Sequence, residues 1–413
     1  MSSVPATTGT TGSGTPAHTR DLRLAVIGLG LRATIAQEAH RPGRGSAVVA
    51  AADLNPDSHR RAREWLGDDA RLYTGHRELL AAEDLDAVFV ITPDHTHEAL
   101  VLDALRAGVA VFVEKPLAIT TEGCDRILET ARSTGTRLYV GHNMRHMPVV
   151  RVMRDLIQRG EIGEVKAVWC RHFVGHGGDY YFKDWHADRR NTTGLLLQKG
   201  AHDLDVIHWL AGAYTEHVTA LGALTLYGDI ADRSGQPEGA VMTDWFDPEN
   251  NWPPLASTGL NPVVDVEDLS MMTMRLEGGV YASYQQCHYT PDYWRNYTVI
   301  GTEGRLENFG DHGETAEVRV WKRRSGYRAD ADLTVPMPTV AGGHGGADPL
   351  LVEEFLRFVR EGGRTDTSPV AAREAVAAGC AATESLRAGG TPVPVRRPSP
   401  DLTRWFADGQ ATR

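Results

Sequence analysis

Cysteine is scarce in this chain. Its 413 residues hold four, at Cys124, Cys170, Cys287 and Cys380, and none belongs to a C-x-x-C pair. That spacing argues against a disulfide framework or a thiolate zinc centre and for separate buried thiols. Positive charge is also short: 43 Lys and Arg against 54 Asp and Glu leave a net charge of −11. Such a balance speaks against nucleic acid or an anionic membrane as partner. Long apolar runs are missing too, and none approaches the ~20 residues of a membrane span. Residues 1–20 are rich in Ser, Thr, Gly and Pro with no apolar stretch, so a disordered tail rather than a signal peptide is expected there. These absences point to a soluble, cytoplasmic protein, long enough for two domains with full cores.

What is present begins at Leu24. An apolar run of strand length, 24–27, leads into Gly28-Leu29-Gly30-Leu31-Arg32-Ala33, and 34–39 can continue as a helix. Gly-x-Gly-x-x-Ala after a strand and before a helix is the first βα turn of a dinucleotide-binding fold. Gly28 permits the tight turn, Gly30 lets the backbone approach a pyrophosphate, and small Ala33 lets helix pack on strand. A second apolar run, 47–52, ends in Asp53, twenty residues past Ala33. A carboxylate there can bond a ribose 2′-hydroxyl, which favours NAD. His59, Arg60 and Arg61 follow closely and leave NADP open.

Up to about Val140 the chain alternates apolar runs (24–27, 48–52, 87–91, 110–113, 137–140) with helical stretches (31–40, 58–66, 77–82, 95–107, 122–134). That alternation predicts an α/β fold with a doubly wound parallel sheet and ligands beyond the strands' carboxyl ends. Two strand ends carry chemistry. One run enters Thr92-Pro93-Asp94-His95-Thr96-His97, and another enters Glu114-Lys115-Pro116. The histidines read equally well as site groups or as loop and helix-start positions. An amine at a strand end reads more readily as a site group than as a surface partner of Glu114.

Gly28-Leu29-Gly30, Thr92-Pro93 with His97, and above all Glu114-Lys115-Pro116 resemble the glucose–fructose oxidoreductase / inositol dehydrogenase / MocA (Gfo/Idh/MocA) family, from Leu24 to about Pro394. The resemblance implies a Rossmann domain followed by an α/β domain with a large open, mainly antiparallel sheet that often forms an oligomer interface. The expected divisions are a tail over 1–20, an NAD(P)-binding domain over 21–145, a substrate and oligomerisation domain over 146–396, and a polar tail over 397–413. It also implies that Lys115 contacts the reacting hydroxyl and the nicotinamide region. Gly28, Gly30, Leu31, Arg32, Asp53, Thr92, Pro93, His97, Glu114, Lys115 and Asn143 are then the expected cofactor-binding residues.

Beyond the sixth run, His142, Asn143 and Arg145 are placed to line the cleft. Segment 175–193 gathers His176, Tyr181, Trp185 and His186 among glycines, and reads as a loop with aromatic faces for a sugar ring. A loop whose aromatics pack locally is the plainer alternative. Further on, Gln198, His202 and Asp205 fall at i, i+4 and i+7, on one helical face. His202 could face the cleft as general base, with Asp205 holding its ring. The family pattern has Asp four residues before this His, where this chain has Gln198, which cannot take a proton. His202 or Lys115 is thus left as acid/base, with Gln198 positioning a hydroxyl.

Short alternating stretches after Leu210 predict an antiparallel sheet, interrupted by a Pro- and Asp-rich insertion at 228–267 that carries Trp245 and Trp252. His344, in a glycine-rich turn before a helix, is a weaker cleft candidate. His172, His176, His186 and His202 lack metal-ligand spacing, so no metal is expected. The reading that follows is a nicotinamide-dependent oxidoreductase acting on a secondary hydroxyl of a sugar, sugar derivative or cyclitol, as a dimer or tetramer. Redox-assisted glycoside cleavage with recycled NAD and a non-catalytic dinucleotide-binding regulator are the alternatives.

Overall fold

The computed structural model describes residues 20–175, 177–237, 240, 242, 247, 249–338, 340 and 342–410. The tail expected over 1–20 lies outside these residues except for Arg20, as do His176 and Trp245. Strands β1 (Leu22–Ile27), β2 (Ser46–Ala52), β3 (Arg71–Tyr73), β4 (Ala87–Val90), β5 (Ala110–Glu114) and β6 (Leu138–Gly141) form one sheet in the order β3-β2-β1-β4-β5-β6. Every pairing in it is parallel. Ala25–Ile27 lies between Ala50–Ala52 and Val88–Val90, buried on both faces, which is why these strands read as unbroken apolar runs. The order reverses between β1 and β4, and this sets a crevice at their carboxyl ends. Edge strand β3 escapes sequence reading because it has only three residues, and Arg71 is exposed.

The second sheet contains β7 (Val165–Phe173), β8 (Thr215–Ala223), β9 (Leu269–Leu276), β10 (Tyr281–Cys287), β11 (Trp294–Gly301), β12 (Arg305–Phe309), β13 (Glu317–Trp321), β14 (Leu333–Pro336) and β15 (Val393–Pro394). Their order is β14-β13-β12-β11-β7-β10-β9-β8-β15, antiparallel except between β7 and β10. Along β7, Val168, Cys170 and His172 point inward while Trp169 and Arg171 face solvent. The inner face packs on helices Pro148–Gln158, Gly200–Ala211 and Pro369–Arg387. The outer face leaves Trp169, Met271 and Tyr281 exposed. Among the described residues no helix is long and apolar enough to cross a membrane.

Three expectations need correction. Segment 175–193 is no open loop: it folds into short turns at Gly177–Tyr181, Trp185–Ala187 and Arg189–Thr192, the last two capped by Asp184 and Asp188. Residues 397–410 are no polar tail either, and 411–413 lie outside the described residues. Helix Pro400–Ala407 starts at Ser399, whose hydroxyl accepts from Leu402 N at 3.3 Å, and buries Leu402 and Phe406 against the parallel sheet. Gln410 then accepts from Leu138 N and donates to Leu138 O, both at 2.8 Å, so its amide caps the edge of β6 like an extra strand residue.

The third correction concerns helix Gly343–Glu361, expected to lie in the substrate domain. Its Leu351, Phe355 and Val359, at helical spacing, complete the core of the parallel sheet instead. The Phe355 ring lies 5.1 Å from Phe89, 5.4 Å from Phe112 and 5.5 Å from Tyr139. The helix after the glycine turn has only five residues, Thr34–Glu38, and leaves that face to be covered from elsewhere in the chain.

Helix Pro369–Arg387 serves both cores. Val370, Ala372 and Val376 join the parallel sheet, while Ala375, Ala378, Ala382 and Leu386 join the other. Glu374 is fully buried on this helix, with Arg397 Nε at 3.2 Å and Arg373 Nη1 at 3.6 Å. Burial outweighs both arginines and pushes its carboxyl up to about 7. A raised carboxyl pKa gives stability that is full below the ordinary range near 4.5 and is lost as pH rises through 7. Glu374→Gln is therefore expected to be close to neutral at pH 5 and stabilising at pH 8.5 by on the order of 2 kcal/mol, read from thermal unfolding at the two pH values.

Candidate functional site

The glycine turn sits at the crevice. Gly28 has φ +97°, and a Cβ there would lie 2.7 Å from Ile91 O and 2.8 Å from Thr92 Cγ2, so only glycine lets the turn pass β4. A Cβ on Gly30 would meet nothing within 4 Å, which leaves open space before the turn. Asp53 accepts from Leu29 N at 2.6 Å and Asn55 N at 2.7 Å and stays partly exposed. Each of its oxygens keeps lone pairs for a further donor. The bare cradle, open front and accessible carboxylate fit a dinucleotide.

Arg32 turns inward. Its Nε donates to Glu114 Oε1 at 2.9 Å and its Nη1 to Asp348 Oδ2 at 2.8 Å. Burial acts against this guanidinium, but Glu114 and Asp348 hold its pKa above the ordinary value. Asn143 Nδ2 donates to Asp348 Oδ1 at 3.1 Å, and His344 Nδ1 is 3.0 Å from Asp348 Oδ2. Arg32, Glu114, Asn143 and His344 thus meet in one network around an aspartate that went unremarked in the sequence. Leu31, beside Arg32, is about half exposed.

His97 is enclosed. Its Nδ1 lies 2.7 Å from Pro116 O and its Nε2 2.9 Å from Thr92 O. It clamps the Thr92-Pro93 turn to the Lys115-Pro116 turn rather than facing the crevice. Lys115 is half-buried at the end of β5, and its Nζ donates to the main-chain oxygen of Gln198 at 3.2 Å. Burial lowers its pKa against the opposing pull of Asp94 and Glu114. Asp94 is itself buried, with Oδ2 unpartnered, and burial pushes its carboxyl up. The Gln198 side chain engages Asp94 while its Oε1 stays without a partner.

Gln198 ends helix Leu195–Gln198, and His202 lies in the first turn of Gly200–Ala211. The His202 ring is buried, and Nδ1 has no hydrogen-bond partner among the described residues. Burial, with Lys115, Arg295 and Lys199 nearby, keeps its pKa well below the ordinary imidazole value. The expected support from Asp205 does not form. Arg145 takes that carboxylate in a two-point bond, Nε to Oδ2 at 2.7 Å and Nη2 to Oδ1 at 2.6 Å, and His142 Nδ1 is 3.4 Å away. A guanidinium fork matches a carboxylate better than an imidazole does. Arg145 also donates to Asp366 O at 2.7 Å and faces the Trp209 ring, so it does not line the cleft as expected.

Tyr181, Trp185 and His186 form an aromatic cluster. His186 stacks on Trp185 with ring centres 3.7 Å apart and meets Tyr181 at 5.1 Å. Next to it stands Lys199, overlooked in the sequence, its Nζ 5.4 Å from the Tyr181 ring centre. Burial, with Arg295 and Lys115 close by, pushes its pKa down to about 7. Arg295 on β11 was also missed. Its Nε is 3.1 Å from Asp203 Oδ1, and Asp203 further accepts from Tyr284 and Tyr297 and lies 2.9 Å from His172 Nδ1. Its signal was an arginine in register with inward-facing Tyr297 and Val299.

Residues 22–142 match an oxidoreductase family with an NAD-binding Rossmann fold, Gfo/Idh/MocA, and residues 154–395 match its C-terminal alpha/beta domain. The chain belongs to this family. Over 315 residues it is 26% identical to YteT, a Bacillus subtilis (strain 168) protein bearing an oxidoreductase name, covering 68% of this chain and 74% of that one. Over 196 residues it is 38% identical to inositol 2-dehydrogenase of Burkholderia multivorans (strain ATCC 17616 / 249). That match covers 46% of this chain and about half of the relative, 55%. Levoglucosan dehydrogenase, solved in complex with NADH and L-sorbose, has a TM-score of 0.74 at 20% identity over 92% of this chain and 100% of its own. At that identity the likeness is one of fold.

The geometry of this Gfo/Idh/MocA chain sets one test. Asp205→Asn leaves Arg145 buried without a counter-charge. It is expected to lower unfolding stability by on the order of 3 kcal/mol, seen in denaturant titration, with the loss of activity following the loss of folded protein.

Proposed function

We propose that this chain is an NAD-dependent dehydrogenase that oxidises, or in reverse restores, a secondary hydroxyl of a sugar, sugar derivative or cyclitol. The observation that carries the reading is a half-buried amine at the end of β5, Lys115, whose charge acts on the buried His202 ring with its unpartnered Nδ1. The glycine turn at Gly28 and Gly30 and the Asp53 carboxylate would hold NAD, which would supply the acceptor for the hydride leaving the carbinol carbon. Lys115 holds the hydroxyl oxygen and stabilises the negative charge that grows on it, an effect strengthened by burial. His202, kept neutral by its surroundings, takes the hydroxyl proton. Gln198 offers an amide to a neighbouring hydroxyl, and the Tyr181, Trp185 and His186 rings offer faces to the carbon skeleton. Asp53 takes the ribose 2′-hydroxyl and disfavours a 2′-phosphate. The names of the inositol and levoglucosan dehydrogenases support the sugar or cyclitol class.

Pure protein incubated with NAD and a panel of inositols, free sugars and aryl glycosides tests this. Reduced cofactor accumulating with a keto product is the expected result, and aglycone release without it would overturn the dehydrogenase reading. Lys115→Met should lower kcat by roughly 100-fold or more while NADH fluorescence titration still reports cofactor binding. Asp53→Ala should weaken NAD binding by about tenfold and raise the NADP-to-NAD ratio of kcat/KM.

A further inference from the structure

Three cations converge near His202: Lys115 at the end of β5, Lys199 between helices Leu195–Gln198 and Gly200–Ala211, and Arg295 on β11. Their charges are met unequally. Arg295 has Asp203 at 3.1 Å and Asp311 at 3.9 Å. Lys115 has the Gln198 carbonyl and the field of Asp94 and Glu114. The Lys199 ammonium makes no hydrogen bond or ion pair with any described residue and rests against the Tyr181 ring. The two carboxylates whose fields reach it are spent elsewhere. Asp203 serves Arg295, His172, Tyr284 and Tyr297, and Asp311 serves Tyr293 and His312. The groups acting most on His202, namely Lys115, Arg295 and Lys199, all carry positive charge.

Lys199 is half-buried, and a ligand that brings a negative charge to an ammonium without a counter-ion gains a charge-assisted contact there. We propose that the sugar bound in this cleft carries a carboxylate, as a hexuronate or other sugar acid does, and that Lys199 binds it. This rests on reading the cleft as a sugar site. One free ammonium matches one negative charge, whereas a phosphate monoester brings nearly two and three strong acceptors. The Tyr181 ring leaves only part of the ammonium for a ligand. A carboxylate at Lys199 also offsets the positive field on His202 and makes that ring a better proton acceptor.

The test uses the full chain saturated with NADH, titrated calorimetrically with D-glucuronate, D-galacturonate, D-glucose and D-galactose. NADH formation from the same four sugars is measured in parallel. Each acid is expected to bind about 30-fold tighter than its neutral counterpart, the scale of a charge-assisted contact, and Lys199→Met to bring that ratio within about threefold. Lys199→Arg, which keeps the charge, should retain most of the preference, and thermal unfolding checks that both variants are folded. Equal or tighter binding of the neutral sugars, no binding of either acid, or an equal loss for acid and neutral sugars in Lys199→Met would each overturn the inference. Acid-selective binding that depends on Lys199 but yields no NADH upholds the carboxylate site and sinks the dehydrogenase reading. NADH formed from neutral sugars alone does the reverse.

Discussion

Arg32 joins three distant parts of the chain around the parallel sheet. Its guanidinium bridges Glu114, beside the strand-end lysine, and Asp348, on the helix that covers the parallel sheet. Removing Arg32 leaves two buried carboxylates without it, which costs far more than either pair contributes to net stability. The value of such a bridge lies in position: the glycine turn, Lys115 and Asn143 keep one relative arrangement because they share it. His97 does the same for the β4 and β5 turns through two carbonyl oxygens.

The chain is acidic overall, yet three basic side chains, Lys115, Lys199 and Arg295, act together on His202. Whole-protein charge therefore says little about what enters. The local field works over a few ångströms in a medium of low dielectric, where surface carboxylates are screened and distant. Groups that would otherwise compete for a bound sugar are occupied in advance, Asp205 by Arg145 and Asp203 by Arg295 and two tyrosines.

The parts legible in the sequence were those written in consecutive residues. The glycine turn, Asp53 and Glu114-Lys115-Pro116 each lie within one strand and its following turn, where local spacing carries the geometry. The alternation of β7 and the parallel runs were readable for the same reason. Asp205 misled because helical spacing shows which groups share a face but not which partner arrives from another element. Lys199, Asp94 and Asp348 gain their character from burial between segments far apart in the chain, which no short window displays. Helix Gly343–Glu361 read as part of the second domain because proximity in sequence stood in for proximity in space.

The dependence of the first sheet on helix Gly343–Glu361 and on Leu402, Phe406 and Gln410 has a consequence for how the protein is made. On the ribosome, β6 emerges roughly 200 residues before the helix that covers Phe89, Phe112 and Tyr139, an interval on the order of ten to forty seconds at ordinary elongation rates. Through that interval the nascent sheet presents an aromatic face and an uncapped edge, the surfaces that chaperones bind and that aggregates grow from. Synthesis runs from the dinucleotide domain outward, but that domain is finished last.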